Sequence, residues 1–165
     1  MAKIGINIAT GSLQQQDIIV GIDLGTTNSL IAAIHPNEKK PVVLKEYDGA
    51  NLVPSIVHFG IDNKITVGDE ARGFLIQEPH NTIFSVKRLM GKSYADVKDQ
   101  ASFFSYKVID DNTDSLVKVQ VGAKFYSPVE LSSFILSALK KRAEHILKTP
   151  VTKAESQTLA ADNHP

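Results

Sequence analysis

Residues 127–148 narrow what this chain can fold into more than any other segment. Ser127 can cap a helix, Pro128 stands at the first helical position, and Glu130, three residues after the serine, completes a capping box. Leu131, Phe134, Ile135, Ala138, Leu139, Ala143, Ile146 and Leu147 then recur at helical spacing. Lys140, Lys141, Arg142 and Lys148 gather toward the C-terminal end, where the helix dipole favours cations, and Thr149-Pro150 stops the helix. A stripe this long must be covered. The first three strands of the chain are the surface the sequence offers.

Those strands are read from residues 18–23 and 30–34, dense in β-branched and aliphatic side chains, with turn signals between them. Two antiparallel strands joined by a short loop are expected, with a third over residues 42–47, as one half of an α/β sheet. From Asp48-Gly49 the pattern changes to short strands with polar breaks. Strands are expected over 55–59, 65–67, 104–109, 117–121 and 124–126, and helical patches over 69–76 and 84–90, the second ending at Gly91 in a C′ position. Asp110, Asp111 and Asp114 read as an exposed acidic turn. The predicted organisation is a mobile N-terminal arm over 1–16, a core subdomain over 17–49 and 128–154, and a small inserted α+β lobe over 50–127.

Length and composition close off several functions. A chain of 165 residues forms about one domain, or one and part of another. Eighteen basic and eighteen acidic side chains balance to zero net charge, so there is no basic field to hold nucleic acid or an anionic membrane. With no cysteine, disulfides, thiolate nucleophiles and thiolate-ligated zinc are all excluded. The five histidines lie far apart without metal-ligand spacing. No export signal and no run near the roughly 20 apolar residues of a membrane span is read, so a cytoplasmic protein is expected.

The loop after the first strand carries the chemistry. Gly25, Thr26 and Thr27 supply a backbone free of Cβ and two hydroxyls, the means by which a hairpin turn can approach phosphate oxygens. Asp23, at the strand end, could hold magnesium through its waters. The same residues also suit a plain hairpin loop, because Asp and Asn favour turns. An aspartic-protease half is a poor match, since Leu24 follows the aspartate and no second Asp-Thr-Gly or Asp-Ser-Gly occurs. Gly91-Lys92-Ser93 fails as a Walker A loop, because Val86 stands where the first glycine is needed. Lys87-Arg88 could bring a cation over a phosphate, or be two solvated cations on a short helix. His58, between Val57 and Phe59, reads as an ordinary half-buried histidine.

Three motifs in order, IDLGTTNS at 22–29, VPSIV at 53–57 and NTIFSVKRLMG at 81–91, resemble the N-terminal half of the ATPase domain of the seventy-kilodalton heat-shock chaperone family. The resemblance covers roughly residues 17–154. Its pattern is most like the HscA branch, which assists iron–sulfur cluster assembly, with the DnaK branch second. It implies an actin-like, ribonuclease H-like α/β ATPase fold with an incomplete first half. It further implies ATP or ADP with Mg2+ as ligands. Lys87 would orient the hydrolytic water, Gly25, Thr26, Thr27, Asn28 and Arg88 would lie about the nucleotide phosphates, and Asp23 would stand near the magnesium shell. The family's partners would be a J-domain cochaperone, client polypeptides and an iron–sulfur scaffold protein.

The match departs after Ala154. Where the family continues into a buried strand, this chain reads ESQTLAADNHP over 155–165, too polar for that role. A truncated or frameshifted product is therefore expected, with residues 155–165 as a non-family tail. One side of a phosphate clamp alone would bind weakly and turn over little or no ATP. The alternative is a non-enzymatic, partly unfolded product with no nucleotide turnover.

Overall fold

A computed structural model of the chain describes residues 5–7, 12–14, 18–34, 40–45, 51–110 and 116–157. Within the expected arm, β1 (Gly5–Asn7) and β2 (Ser12–Gln14) pair antiparallel as a two-stranded ribbon of their own. Strands of three residues are too short to leave a period in the sequence.

The larger sheet is built on β3 (Ile19–Asp23) and β4 (Asn28–Ile34), antiparallel with Val20 opposite Ala33 and Ile22 opposite Ile31. Those four side chains are buried on one face, as strict alternation along each strand requires. β5 (Pro41–Val43) adds to β4, and the Leu44 N–H continues the ladder by donating to the Ile31 carbonyl at 2.9 Å. The remainder of the expected third strand, from residue 46, lies outside the described residues. β6 (Val53–Pro54) pairs with the start of β4, setting Pro54 opposite Asn28 and Val53 opposite Ser29.

In the inserted lobe, β7 (Ile56–Phe59) is the buried middle strand between β8 (Ile65–Val67) and the later β9. The expected helical patch at 69–76 is two short helices, α1 (Asp69–Arg72) and α2 (Phe74–Gln77), separated at Gly73. The patch expected over 84–90 begins instead as β9 (Thr82–Phe84), whose Phe84 pairs with Ile56. Only residues 86–89 then coil, as a 3-10 turn, and Gly91 takes the positive φ of +67° suited to its place after it. A seven-residue apolar window does not separate helix from strand, and pairing with β7 decides it. α3 (Tyr94–Val97) opens on a Ser93–Asp96 capping box, so Gly91-Lys92-Ser93 leads into a helix start rather than a phosphate loop. β10 (Lys107–Ile109), β11 (Lys118–Val121) and β12 (Lys124–Tyr126) form an antiparallel meander. Phe104 and Tyr106, expected in strand, are irregular in backbone and buried in the core. Asp111 and Asp114 of the acidic turn lie outside the described residues.

α4 (Pro128–Leu147) is capped as its sequence predicts. The Glu130 N–H donates to Ser127 Oγ at 3.2 Å, and the Ser127 N–H donates to Glu130 Oε2 at 2.7 Å. Leu131, Ile135, Leu139 and Ala143 form its buried face. Ser132 is buried beside them because its hydroxyl donates back to the Pro128 carbonyl at 2.8 Å. The helix rests on β3 and β4, and equally on β7, β8 and the 86–89 turn, so it spans both sheets rather than the first three strands alone.

Beyond α4, residues 155–157, expected as tail, pair with the sheet. β13 (Lys153–Gln157) runs parallel to β3, from Lys153 opposite Ile19 to Gln157 opposite Asp23. Polarity did not forbid it, because among the described residues β13 is the outermost strand of its sheet, with Lys153, Ala154 and Glu155 exposed there. Parallel pairing uses backbone groups alone. The approach is fixed by Val151, which is buried and whose N–H donates to Glu144 Oε1 at 3.0 Å. Residues 158–165 lie outside the described residues. Among the described residues, no helix is long and apolar enough to cross a membrane.

Ser127→Ala should destabilise the chain by about 1 kcal/mol in chemical denaturation. Hydrogen bonds from the Ser127 N–H and hydroxyl hold the Glu130 carboxyl below its ordinary value of 4.5. That contribution is present above the ordinary value and is lost as pH falls through the lowered one. Glu130→Gln should therefore flatten the loss of thermal stability between about pH 5 and 3.

Candidate functional site

The turn between β3 and β4 is closed by groups from within the fold. A Cβ on Gly25 would lie 2.0 Å from the Asn28 carbonyl oxygen, so only glycine fits. The Gly25 N–H donates to Ser29 Oγ at 3.2 Å, Ser29 Oγ lies 2.9 Å from Ser55 Oγ, and the Ser55 hydroxyl donates to the Gly25 carbonyl at 2.9 Å. Ser55 commits its single proton to that carbonyl, so Ser29 is the donor between the two hydroxyls. The result is a closed ring of hydrogen bonds, with Ser29 and Ser55 only 1% and 2% exposed. The Ser55 N–H adds a bond to the Thr27 carbonyl at 2.8 Å. Neither serine is among the residues that sequence reasoning picked out as site residues. Ser55 was visible only within the VPSIV motif, and a lone serine carries no local signal of a partner 26 residues away.

With the ring below, Thr26 and Thr27 form the upper surface of the turn. Both line a cavity of about 440 Å³ whose other walls are Ser55, Ile56, Leu75, Phe84, Ser85 and Ser105. The size suits a small-molecule site. Of these hydroxyls, Ser55 is committed to Gly25 and Ser105 donates to the Pro79 carbonyl at 3.1 Å. Gly25 shapes the turn from beneath, its N–H engaged inside the loop. Asn28 contributes the carbonyl that excludes a Cβ at Gly25, and its residue is exposed. Asp23 is exposed at the end of β3, opposite Leu30 on one side and Gln157 on the other.

Lys87 and Arg88 follow two and three residues after the lining Ser85. Their 3-10 turn is anchored by Val86 and Leu89, both buried, leaving Lys87 half-buried and Arg88 exposed. Among the described residues, the Lys87 carbonyl accepts from the Met90 N–H at 3.3 Å, whereas its ammonium makes no hydrogen bond or ion pair. No cluster of three His, Cys, Asp or Glu able to hold a metal occurs among the described residues either. A cation here would rely on ligand oxygens together with Asp23.

His58 belongs to the scaffold behind this cavity. It is buried rather than half-buried, stacked on Phe74 with ring centroids 3.8 Å apart, and its Nδ1 lies 3.0 Å from Thr82 Oγ1. The Thr82 hydroxyl also lies 2.8 Å from the Glu78 carbonyl and 3.1 Å from that of Phe74. With the threonine proton given to a carbonyl, Nδ1 is the donor to Thr82.

An antiparallel hairpin, a strand returned parallel to it by a long helix, and a lobe inserted between them place the chain among α/β proteins of actin-like, ribonuclease H-like fold. The profile of the family described as "Hsp70 protein" matches residues 19–155, and the chain belongs to that family. A "Chaperone protein HscA homolog" of Acinetobacter baumannii strain SDF is 44% identical over 140 residues, covering 85% of this chain and 22% of the relative. The homolog from A. baumannii strain ATCC 17978 is 45% identical over 141 residues, with the same coverage of both chains. The chain thus spans about a fifth of the length of these curated relatives. The family is one of chaperones that bind and hydrolyse nucleotide.

Gly25→Ala should cost about 1–3 kcal/mol in urea denaturation, because backbone rather than a flexible side chain must yield. Ser55→Ala, which leaves the Gly25 carbonyl and the Ser29 proton without their partner, should cost a similar amount, about 1–3 kcal/mol.

Proposed function

We propose that this chain carries the first phosphate-binding loop of an ATP-dependent chaperone and takes up Mg-ATP or Mg-ADP in the cavity above Thr26 and Thr27. The observation that carries this reading is the convergence of both threonines and Ser85 on one cavity, with Lys87 two residues further on. Thr26 and Thr27 donate to phosphate oxygens. Lys87 would orient the attacking water at the terminal phosphate, Arg88 would stand near the phosphates, and Asp23 would help hold Mg2+. Magnesium supplies neutralisation of charge on the transferring phosphoryl group. The protein's part is to hold the loop rigid, which the hydrogen-bond ring below Gly25 does.

The likeness to HscA homologs supports, as part of the same proposal, a cytoplasmic role in protein folding and iron–sulfur cluster assembly. A J-domain cochaperone, client polypeptides and an iron–sulfur scaffold are the partners it implies. Within these 165 residues taken alone, a loop and one lysine approach a nucleotide from one side, so the affinity of this polypeptide by itself should be weak.

Titration calorimetry on the 165-residue chain tests this. Mg-ADP should bind weakly, and Thr26→Ala should lower its affinity by about 10- to 100-fold, the worth of a hydrogen bond to a charged group. Lys87→Ala should spare much of the Mg-ADP affinity while abolishing whatever hydrolysis a phosphate-release assay detects. Equal affinity in the Thr26 variant would remove the loop from nucleotide binding.

A further inference from the structure

We propose that Tyr106 is a positioning residue: its phenol holds the backbone turn that carries Lys87, two residues beyond the cavity-lining Ser85, and so sets how well the site prefers a nucleoside triphosphate over a diphosphate. The proposal rests on the nucleotide reading of the cavity above Thr26 and Thr27.

Tyr106 is 3% exposed, packed with its ring centroid 5.6 Å from that of Phe84 and 5.1 Å from that of Phe104. Its hydroxyl donates to the Phe84 carbonyl at 2.6 Å. Burial raises the phenol far above its ordinary value against the opposing pull of the nearby Arg88 guanidinium, which keeps it a protonated donor. Phe84 ends β9, and the next residue, Ser85, adopts a left-handed conformation with φ 55° and ψ 31°. A non-glycine residue stays there only when its surroundings hold it.

Ser85 is held from both sides. Upstream, the Tyr106 hydroxyl fixes the carbonyl of the preceding peptide. Downstream, the Arg88 N–H donates to the Ser85 carbonyl at 3.0 Å, closing the turn that Val86 and Leu89 anchor in the core. Ser85 lines the cavity, and Lys87 leaves the same turn. The downstream anchor is a local backbone bond, whereas the upstream one comes from a side chain 22 residues away. Without the phenol, the peptide joining Phe84 to Ser85 is free to rotate, and Lys87 loses its fixed approach to a terminal phosphate. A diphosphate, which offers no such group, should be bound unchanged.

Tyr106→Phe deletes the hydroxyl and keeps the ring. Calorimetry on the full chain should show its preference for Mg-ATP over Mg-ADP reduced about 3- to 10-fold, the range of one hydrogen bond, with Mg-ADP affinity within about twofold of the parent. Lys87→Ala should lose the same preference, and the double variant should lose no more. Adding Ser85→Gly to Tyr106→Phe should restore part of it, because glycine takes positive φ without being held. An unchanged preference in Tyr106→Phe, with Lys87→Ala still losing it, overturns the proposal and leaves the nucleotide reading intact. A parent chain that binds neither nucleotide overturns both. Failure to fold in Tyr106→Phe with and without Ser85→Gly shows the phenol to be purely structural, and also overturns the proposal.

Discussion

The fold depends on one helix face serving two sheets. Leu131, Ile135, Leu139 and Ala143 are buried where α4 crosses from the β3–β4 hairpin to the lobe strands β7 and β8. Burying a leucine or isoleucine contributes about 1.5–3 kcal/mol, so this stripe is a large share of what joins the two parts. It also sets their spacing. The 86–89 turn, which carries Lys87, packs on the same helix, so the lysine and the threonine loop are referred to one common element.

The loop itself owes its shape to polar groups that water does not reach. Three donors and three acceptors close on one another through Gly25, Ser29 and Ser55, satisfying every buried polar group in the ring. An unsatisfied member would carry a desolvation cost, which is why such rings hold one geometry. Because Ser55 belongs to the connection between β6 and β7, the ring also ties the hairpin to the entrance of the lobe.

Much of this was legible in the sequence, and what was not has identifiable causes. The stripe and capping box of α4 state their structure locally, as do the β-branched and aliphatic density of β3 and β4 and the span of β8 and β12. Phe84 did not, because its strand conformation comes from pairing with Ile56 rather than from its neighbours. Tyr106 could be read as one more β-prone aromatic, yet its phenol points to a carbonyl 22 residues away in sequence. Ser29 and Ser55 were equally silent, since a hydroxyl does not announce its acceptor. Residues 155–157 are a different case: their polarity spoke against a buried strand and was silent on an exposed one, which backbone pairing with β3 supplies.

That last strand has a consequence for how the sheet meets other chains. An outermost strand offers unpaired backbone groups on which a foreign strand can template itself. In β13, outermost in its sheet among the described residues, the exposed side chains include Lys153 and Glu155, one of each charge. Any chain adding there would have to accommodate both ionised groups along its flank. Charges of both signs thus make this border of the described sheet a poor seed for aggregation.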